Sequence, residues 1–171
     1  TITEEEYKYF VEVKDLTNDN NNTVRVKNLT DLGIGDYEFA IDDPTGPYQD
    51  DPFFENVRPG IHTVYIRDKK GCGIGEFDVS VIGYKKYFTP NGDGIQDKWR
   101  ILGINEFFQP NSKIYIFDRY GKLIKELDPR GSGWDGMFSG SPMPQTDYWF
   151  RVFLEDGREF KGHFSLVRGF D

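Results

Sequence analysis

Three oxygen-bearing side chains lie close together in the middle of the chain, in the stretch YFTPNGDGIQDKWRI at residues 87–101. They are Asn91, Asp93 and Asp97. Carboxylate, amide and backbone carbonyl oxygens are the ligands that Ca²⁺ prefers, so the spacing predicts a calcium site to which the carbonyl of Ile95 also contributes. The loop lacks the glutamate that closes an EF-hand, so a further ligand must come from elsewhere. The alternative is that Asn91 and Asp93 only hydrogen-bond their own turn, as Asn-Gly and Asp-Gly sequences commonly do.

Other residues with reactive or metal-ligating side chains are sparse. Cys72 is the single cysteine, which excludes an intrachain disulfide, and with only two histidines a Cys/His zinc cluster is excluded as well. A packed small residue is the preferred interpretation of Cys72, and a reactive thiol is the alternative. His62 and His163 lie in different halves of the chain, and no Ser/His/Asp set is identifiable.

Three tryptophans have two interpretations. Trp99, Trp134 and Trp149 can form a platform on which sugar rings stack, or they can fill the core of a β-sandwich, which their spacing favours. The aspartates at residues 42–51 are interpreted as a solvated loop rather than a cation site. An enzyme would require a cleft of clustered carboxylates, such as Asp118 beside Asp135, and nothing in the sequence indicates one.

The elements that must position these residues are short strands. Apolar residues alternate with polar ones in 7–13, 24–26, 37–41, 61–67 and 77–81, with a short apolar segment at 53–57. The second half repeats the pattern at 99–104, 113–119, 123–127, 148–154 and 159–167. No stretch shows a helical period. The sequence therefore predicts an all-β protein made of two tandem Ig-like antiparallel β-sandwich domains.

Charge divides the chain near residue 83. Residues 1–83 hold 17 acidic and 8 basic residues, a net charge of −9, and residues 84–171 hold 12 acidic and 13 basic, a net charge of +1. This asymmetry predicts domains at 1–83 and 84–171. The total charge of −8 argues against nucleic acid as a partner, and no apolar run is long enough to span a bilayer.

The second half resembles a known family, the gliding motility-associated C-terminal domain, which is the type B sorting domain of type IX secretion. The matching motifs follow one another in the family's order. They are the box Phe88-Thr89-Pro90-Asn91-Gly92-Asp93-Gly94 with Asp97 and Trp99, the strand Ile114 to Phe117 with Asp118-Arg119-Tyr120-Gly121, Trp134-Asp135-Gly136, Gly140 to Pro144, Tyr148-Trp149-Phe150-Arg151, and Gly162 to Arg168. The first half resembles, at the level of class, the Ig-like repeats of gliding-type adhesins.

The resemblance implies a targeting module rather than an enzyme. It implies export from a Gram-negative bacterium to the cell surface or the medium, through docking onto outer-membrane components of the type IX machinery. Because the Trp-Asp-Gly turn recurs with the acidic box in this family, Asp135 is the further candidate calcium ligand. The final strand is amphipathic, and strand edges can pair with a partner. We therefore predict that the partner-binding residues are Gly162, His163, Phe164, Ser165, Leu166, Val167 and Arg168.

Residues 1–83 are expected to be the last passenger repeat, a spacer or an adhesive stalk. A competing hypothesis is a carbohydrate-binding or adhesive β-sandwich appended to a secreted hydrolase or adhesin, with polysaccharide or a cell-surface ligand as its partner. That hypothesis predicts coplanar aromatic side chains exposed to solvent.

Overall fold

The structure is a computed structural model that describes residues 2–17, 21–71 and 73–168. The chain divides into two compact units, Thr1–Gly83 and Tyr84–Asp171. Strands make up most of the regular structure in both units, which confirms the all-β fold class. Within the described part of the chain, no helix has the length and apolar character that crossing a bilayer requires.

The first unit consists of one short helix and two three-stranded sheets. Its elements are α1 (Glu4–Phe10), β1 (Val11–Lys14), β2 (Thr23–Val26), β3 (Tyr37–Ile41), β4 (Phe53–Phe54), β5 (Gly60–Asp68) and β6 (Ile74–Val81), with a 3-10 turn at Leu29–Leu32. The strand orders are β1-β2-β4 and β3-β5-β6, and every pair is antiparallel. Both sheets contribute to one apolar cluster, which includes Val24 and Val64 and defines a sandwich.

Residues 7–10 differ from the prediction, because they end a helix rather than begin a strand. The Thr3 hydroxyl accepts a hydrogen bond from the backbone N–H of Glu6, and the Glu6 carboxylate accepts one from the N–H of Thr3. This capping box satisfies two backbone donors that a helix start otherwise leaves without partners. Lys8 also pairs with Glu4 one turn earlier, at 2.6 Å from Nζ to Oε1. The predicted strand is therefore wrong for residues 7–10 and confirmed for Val11 onward.

The second unit is built on a five-stranded sheet. The short strand β7 (Gly83–Tyr84) spans the boundary between the units. The strands that follow it are β8 (Tyr87–Phe88), β9 (Ile101–Leu102), β10 (Lys113–Phe117), β11 (Leu123–Leu127), β12 (Met137–Phe138), β13 (Ser141–Pro142), β14 (Asp147–Phe153) and β15 (Glu159–Leu166). The main sheet has the order β11-β10-β14-β15-β8, while β7 pairs with β9 and β12 with β13. The turn sequences Tyr120-Gly121-Lys122 and Asp156-Gly157 predict hairpins, and β10–β11 and β14–β15 are antiparallel hairpins in the structure. The strand predicted at 99–104 is reduced to β9.

One pairing in the main sheet is parallel. Strand β8 lies beside the end of β15, with Ser165 opposite Tyr87 and Leu166 opposite Phe88. The other pairs in this sheet are antiparallel. Strand β8, which comes first in the chain among the strands of this sheet, therefore forms an edge of the sheet next to β15, which comes last.

The inner face of the main sheet holds the core of the second unit. The inward residues of β10, β14 and β15 are buried, among them Ile116, Phe150 and Phe164. Trp99 and Trp134 cover them and are joined to each other by two backbone hydrogen bonds of 3.0 and 2.8 Å. The Trp99 ring stacks on the Phe164 ring with 3.9 Å between their centroids. This aromatic core supports the acidic loop and the last strand.

Candidate functional site

The acidic loop is organised around the carboxylate of Asp97. Its Oδ1 accepts hydrogen bonds from the backbone N–H groups of Asn91 and Gly92, at 3.1 and 2.7 Å. Its Oδ2 accepts a third from Gly94 at 2.7 Å. Gly92 and Gly94 both have positive φ, which lets successive N–H groups turn toward one point. Asp97 thereby holds the loop closed.

These hydrogen bonds also set the charge of Asp97. Partial burial disfavours the carboxylate, but the backbone hydrogen bonds from Gly92, Gly94 and Asn91 outweigh that effect and lower the pKa of Asp97. The ionised form is therefore the one that fits the folded loop.

Asn91 and Asp93 each close a small turn. The Asn91 side-chain oxygen accepts a hydrogen bond from the N–H of Asp93 at 3.0 Å, and Asp93 Oδ1 accepts one from the N–H of Ile95 at 2.8 Å. The carbonyl of Ile95 accepts a long hydrogen bond of 3.4 Å from the Thr89 hydroxyl. The loop thus contains the local hydrogen bonds that the alternative interpretation of these residues expects.

Asp135 lies in a separate turn that packs against the start of the acidic box. Its Oδ1 accepts a hydrogen bond from the N–H of Met137 at 3.0 Å. The adjoining Gly136 lies so close to Leu166, Phe88 and Pro90 that a Cβ there would stand 2.9 Å from the Leu166 side chain. The Trp-Asp-Gly turn and the box therefore meet through apolar packing, which gives a structural reason for the two motifs to occur together.

The predicted calcium ligands serve mainly as hydrogen-bond acceptors in this structure. Among the described residues, no group of three or more His, Cys, Asp or Glu is placed to hold a metal ion. Most of the predicted ligand oxygens already accept backbone N–H hydrogen bonds. Calcium binding by Asn91, Asp93, Ile95, Asp97 and Asp135 stays a prediction.

The three tryptophans separate into two environments. Trp99 and Trp134 are buried, and their indole N–H groups donate to the carbonyls of Lys85 and Met137, at 2.8 and 2.9 Å. The core interpretation is confirmed for these two. Trp149 lies on the opposite face of the main sheet and is 41% exposed. A platform that uses all three rings is therefore not formed.

The last strand, β15, is held along both of its edges near its end. Leu166 donates its N–H to the carbonyl of Thr146 on one side, and Ser165 donates to Lys86 on the other. The next residue, Val167, donates to the carbonyl of Phe88 at 3.0 Å. Strand β8 therefore pairs only with the C-terminal end of β15, and it does not extend along residues 159–164.

The seven predicted partner-binding residues have different surroundings. Phe164 and Leu166 are fully buried, and Gly162 has room for no Cβ because the rings of Phe150 and Tyr84 lie about its α-carbon. His163 is exposed, with its Nδ1 4.0 Å from Asp147 Oδ2. The guanidinium of Arg168 donates two hydrogen bonds, of 3.1 and 2.8 Å, to the carbonyl of Met143.

The remaining candidate residues are engaged locally. His62 lies with Nδ1 2.6 Å from Asp42 Oδ2 and Nε2 2.5 Å from the carbonyl of Arg58. In the loop at 42–51, the Asp50 carboxylate accepts from Lys69 at 2.6 Å. Asp118 accepts the N–H groups of Tyr120 and Lys122 in the β10–β11 turn. Cys72 lies outside the described residues.

One surface was not recognised in the sequence. In the sheet register, Leu123 of β11 lies beside Phe117 of β10, Phe117 beside Trp149 of β14, and Trp149 beside His163 of β15. We call these four residues the transverse row. The alternation within each strand placed these residues on one face of their own strand. Recognising that the four lie side by side required the order of the strands in the sheet.

Fold and site together define a small β-sandwich module with a self-bonded acidic loop and a deeply anchored last strand. Residues 82–166 match the family model of the CHU_C Type IX secretion signal domain. This part of the chain belongs to that family and carries a sorting signal for type IX secretion. Membership implies interaction with the secretion machinery and export of the protein that carries the domain.

Several solved structures are similar to the chain as a whole. They include the BSP domain of a biofilm-associated protein, with 11% identity over 94% of this chain and 30% of that chain, at a TM-score of 0.36. Dimeric latent PorU from Porphyromonas gingivalis has 14% identity over 93% of this chain and 20% of that chain, at a TM-score of 0.32. A two-domain fibronectin type-III segment of chicken tenascin has 16% identity over 91% and 97% of the two chains, at 0.29.

The chain spans less than a third of the length of the first two of these structures. The comparison with curated proteins gives no match.

Proposed function

We propose that residues 84–171 deliver a longer parent protein to outer-membrane components of the type IX machinery by protein–protein docking. The observation that carries the proposal is the family match, which ends at residue 166, the last residue of β15. In this role the domain presents a surface to be bound and does not transform a substrate. The parent protein would then reach the cell surface or the medium of a Gram-negative bacterium.

The recognition element in this proposal is the segment Gly162 to Arg168. Two features of β15 support it. His163 faces solvent, and the edge of the strand opposite β14 is paired with β8 only at Ser165 and Leu166. We expect backbone groups along the rest of that edge to pair with a strand of the partner.

The first unit has a mechanical role in the proposal, as a spacer or adhesive stalk between the passenger and the signal. Its two sheets share one core, which makes it a compact module. Its surface charges include the pairs Lys69–Asp50 at 2.6 Å and Arg67–Glu38 at 2.6 Å. The net charge of −9 on residues 1–83 favours solubility of a surface-displayed module.

The experiment uses a fluorescent reporter with an export signal, fused in front of the full 171-residue chain. It is expressed in a bacterium with a working type IX system and in an isogenic strain without it. The reporter should reach the medium or cell surface only in the first strain. Equal secretion by both strains, or retention in both, would contradict the proposal.

Deleting Gly162 to Asp171 should retain the reporter inside the cell, and normal export of the truncated protein would rule out the last strand as recognition element. Because the deletion also removes the buried Phe164 and Leu166, a second variant separates recognition from folding. His163→Glu changes only an exposed side chain. It should lower export while the melting temperature of the purified chain stays unchanged.

A further inference from the structure

The transverse row forms an apolar band on the outer face of the main sheet. Its four side chains lie on four adjacent strands, which are about 4.8 Å apart in a sheet. Leu123 is 49% exposed and Trp149 is 41% exposed, although both are large apolar residues in a regular sheet. The His163 ring lies 6.2 Å from the Trp149 ring. The band is therefore continuous across the sheet and accessible to a partner.

The residues beside the row are aromatic or engaged in ion pairs. In the next register position Tyr115 lies opposite Arg151, and Tyr115 meets Phe153 edge to face at 6.2 Å. Arg151 Nε donates to Glu159 at 2.8 Å. Lys113 and Glu126 face each other at 3.9 Å. These charges offset one another within the face.

Lys161 is the exception among the charges of this face. It lies beside Arg151 in the register of β14 and β15 and is exposed. No carboxylate of the described residues forms an ion pair with it. The face thus combines an apolar centre with an exposed lysine that no described carboxylate pairs with.

This composition fits a protein partner better than a polysaccharide. Tryptophan and arginine are the residues most enriched among those that dominate protein interfaces, where a ring of less important contacts excludes water around them. Charges at the rim of such an interface set orientation and association rate more than affinity. Sugar hydroxyls, by contrast, need free polar side chains beside a stacking ring, and the charged groups nearest to Trp149 are engaged with each other.

We infer that the outer face of the main sheet is a docking surface for a protein of the type IX machinery, with the Trp149 indole as its anchor. The partner has an apolar pocket for the indole and a carboxylate that faces Lys161. This inference rests on the proposed function and extends it, because it moves the centre of recognition from the last strand to the face that His163 shares with β14.

The test uses the same full-chain reporter with three variants. Trp149→Ala removes the anchor, and Lys161→Glu reverses the charge of an exposed side chain without touching the core. Phe107→Ala is the matched control, since Phe107 is an apolar aromatic of the same unit, 77% exposed, in a loop outside this sheet. We expect the secreted fraction to fall about tenfold or more with Trp149→Ala, as for an interface anchor, and to fall also with Lys161→Glu, while Phe107→Ala is exported normally.

Thermal melting of each purified variant separates docking from folding. Lys161 is exposed, so Lys161→Glu should have the same melting temperature as the unmodified chain. A fall in its export would therefore report a loss of docking, even if Trp149→Ala has a lower melting temperature. Export of Trp149→Ala and Lys161→Glu at the unmodified level would overturn the inference and leave the proposed function standing. Retention of the unmodified reporter would overturn the proposed function, and the inference with it.

Photocrosslinking identifies the occupant. A photoreactive residue in place of Leu123, at one end of the transverse row, should yield an adduct with an outer-membrane component of the secretion machinery. An adduct with polysaccharide, with a second copy of the chain, or with no machinery protein would overturn the inference.

Discussion

Replacing Phe164 with alanine is expected to destabilise the second unit strongly. The side chain is fully buried, and its ring stacks on Trp99 with 3.9 Å between centroids. The rings of Phe88 and Trp134 lie 5.9 and 6.1 Å away. Alanine leaves a cavity between these large rigid rings, which cannot easily close over it.

The size of the effect follows from the burial of the ring. A buried Phe→Ala substitution destabilises by about 3–5 kcal/mol, and loss of the stacked pair with Trp99 favours the upper part of that range. A whole domain is stable by only about 5–15 kcal/mol. Since 1 kcal/mol lowers the midpoint of a domain of this size by about 4–8 °C, we expect the melting temperature to fall by about 12–40 °C.

Tryptophan fluorescence measures this change selectively, because all three tryptophans lie in residues 84–171. The control is His163→Ala, at the residue next to Phe164 in sequence, where the side chain faces solvent. This substitution should change the free energy of unfolding by less than about 0.5 kcal/mol. A fall of less than about 5 °C for Phe164→Ala, or equal effects of the two variants, would refute the placement of Phe164 in the core.

Three further predictions concern the loop and its supports. Gly133→Ala should destabilise the second unit by about 1–3 kcal/mol in urea unfolding, because Gly133 has φ +106° and a Cβ would lie 2.4 Å from the Trp99 carbonyl oxygen; an unchanged midpoint would contradict this. The pKa of Asp97 is lowered in the folded loop. The ionised carboxylate therefore stabilises the fold above the unfolded pKa of about 4, and this stabilisation is lost as the pH falls through the folded pKa. Asp97→Asn should reduce the dependence of unfolding free energy on pH in this acidic range, measured by tryptophan fluorescence. If Asn91, Asp93 and Asp97 bind calcium, titration calorimetry should give heat that EDTA reverses and Asp93→Asn weakens, whereas no heat and no shift in melting temperature would end the calcium prediction.

Strand positions were the part of the fold most accessible from the sequence. Period-two alternation divided the side chains of β5 and β14 between two faces, and in the structure Val64 and Phe150 lie on the buried ones. Turn residues such as Asp156-Gly157 marked the hairpins. Both signals are local, so they do not depend on how the strands assemble. The parallel pairing of β8 with β15 joins segments far apart in sequence, and no local pattern encodes it.

The helix at Glu4–Phe10 was missed because two patterns overlap there. Tyr7, Tyr9 and Val11 alternate as in a strand, while Thr3 and Glu6 have the spacing of a capping box. The three glutamates of the first turn also favour a helix start. Capping and charge outweighed the alternation, since two tyrosines spaced by two residues gain little unless a sheet buries one of their faces.

The sequence allowed us to predict which residues form the candidate site, but not how they hydrogen-bond to one another. The sequence singled out Asn91, Asp93 and Asp97, and these residues do organise one loop. That Asp97 is the acceptor for three separate N–H groups depends on the positive φ of Gly92 and Gly94, which a sequence motif permits but does not specify. Trp149 could not be separated from Trp99 and Trp134 until the sheet gave each ring a face.

Strand β15 shows why folding and recognition need not compete in this domain. Its inward positions, Phe164 and Leu166, complete the aromatic core, and its outward positions, Lys161 and His163, lie on the outer face. Because the side-chain period of a strand is two residues, substitutions at one set leave the other set in place. The surface that we propose for docking can therefore change while the core keeps the strand in register. A truncation removes both sets at once, so only substitutions on the outward positions can report on docking.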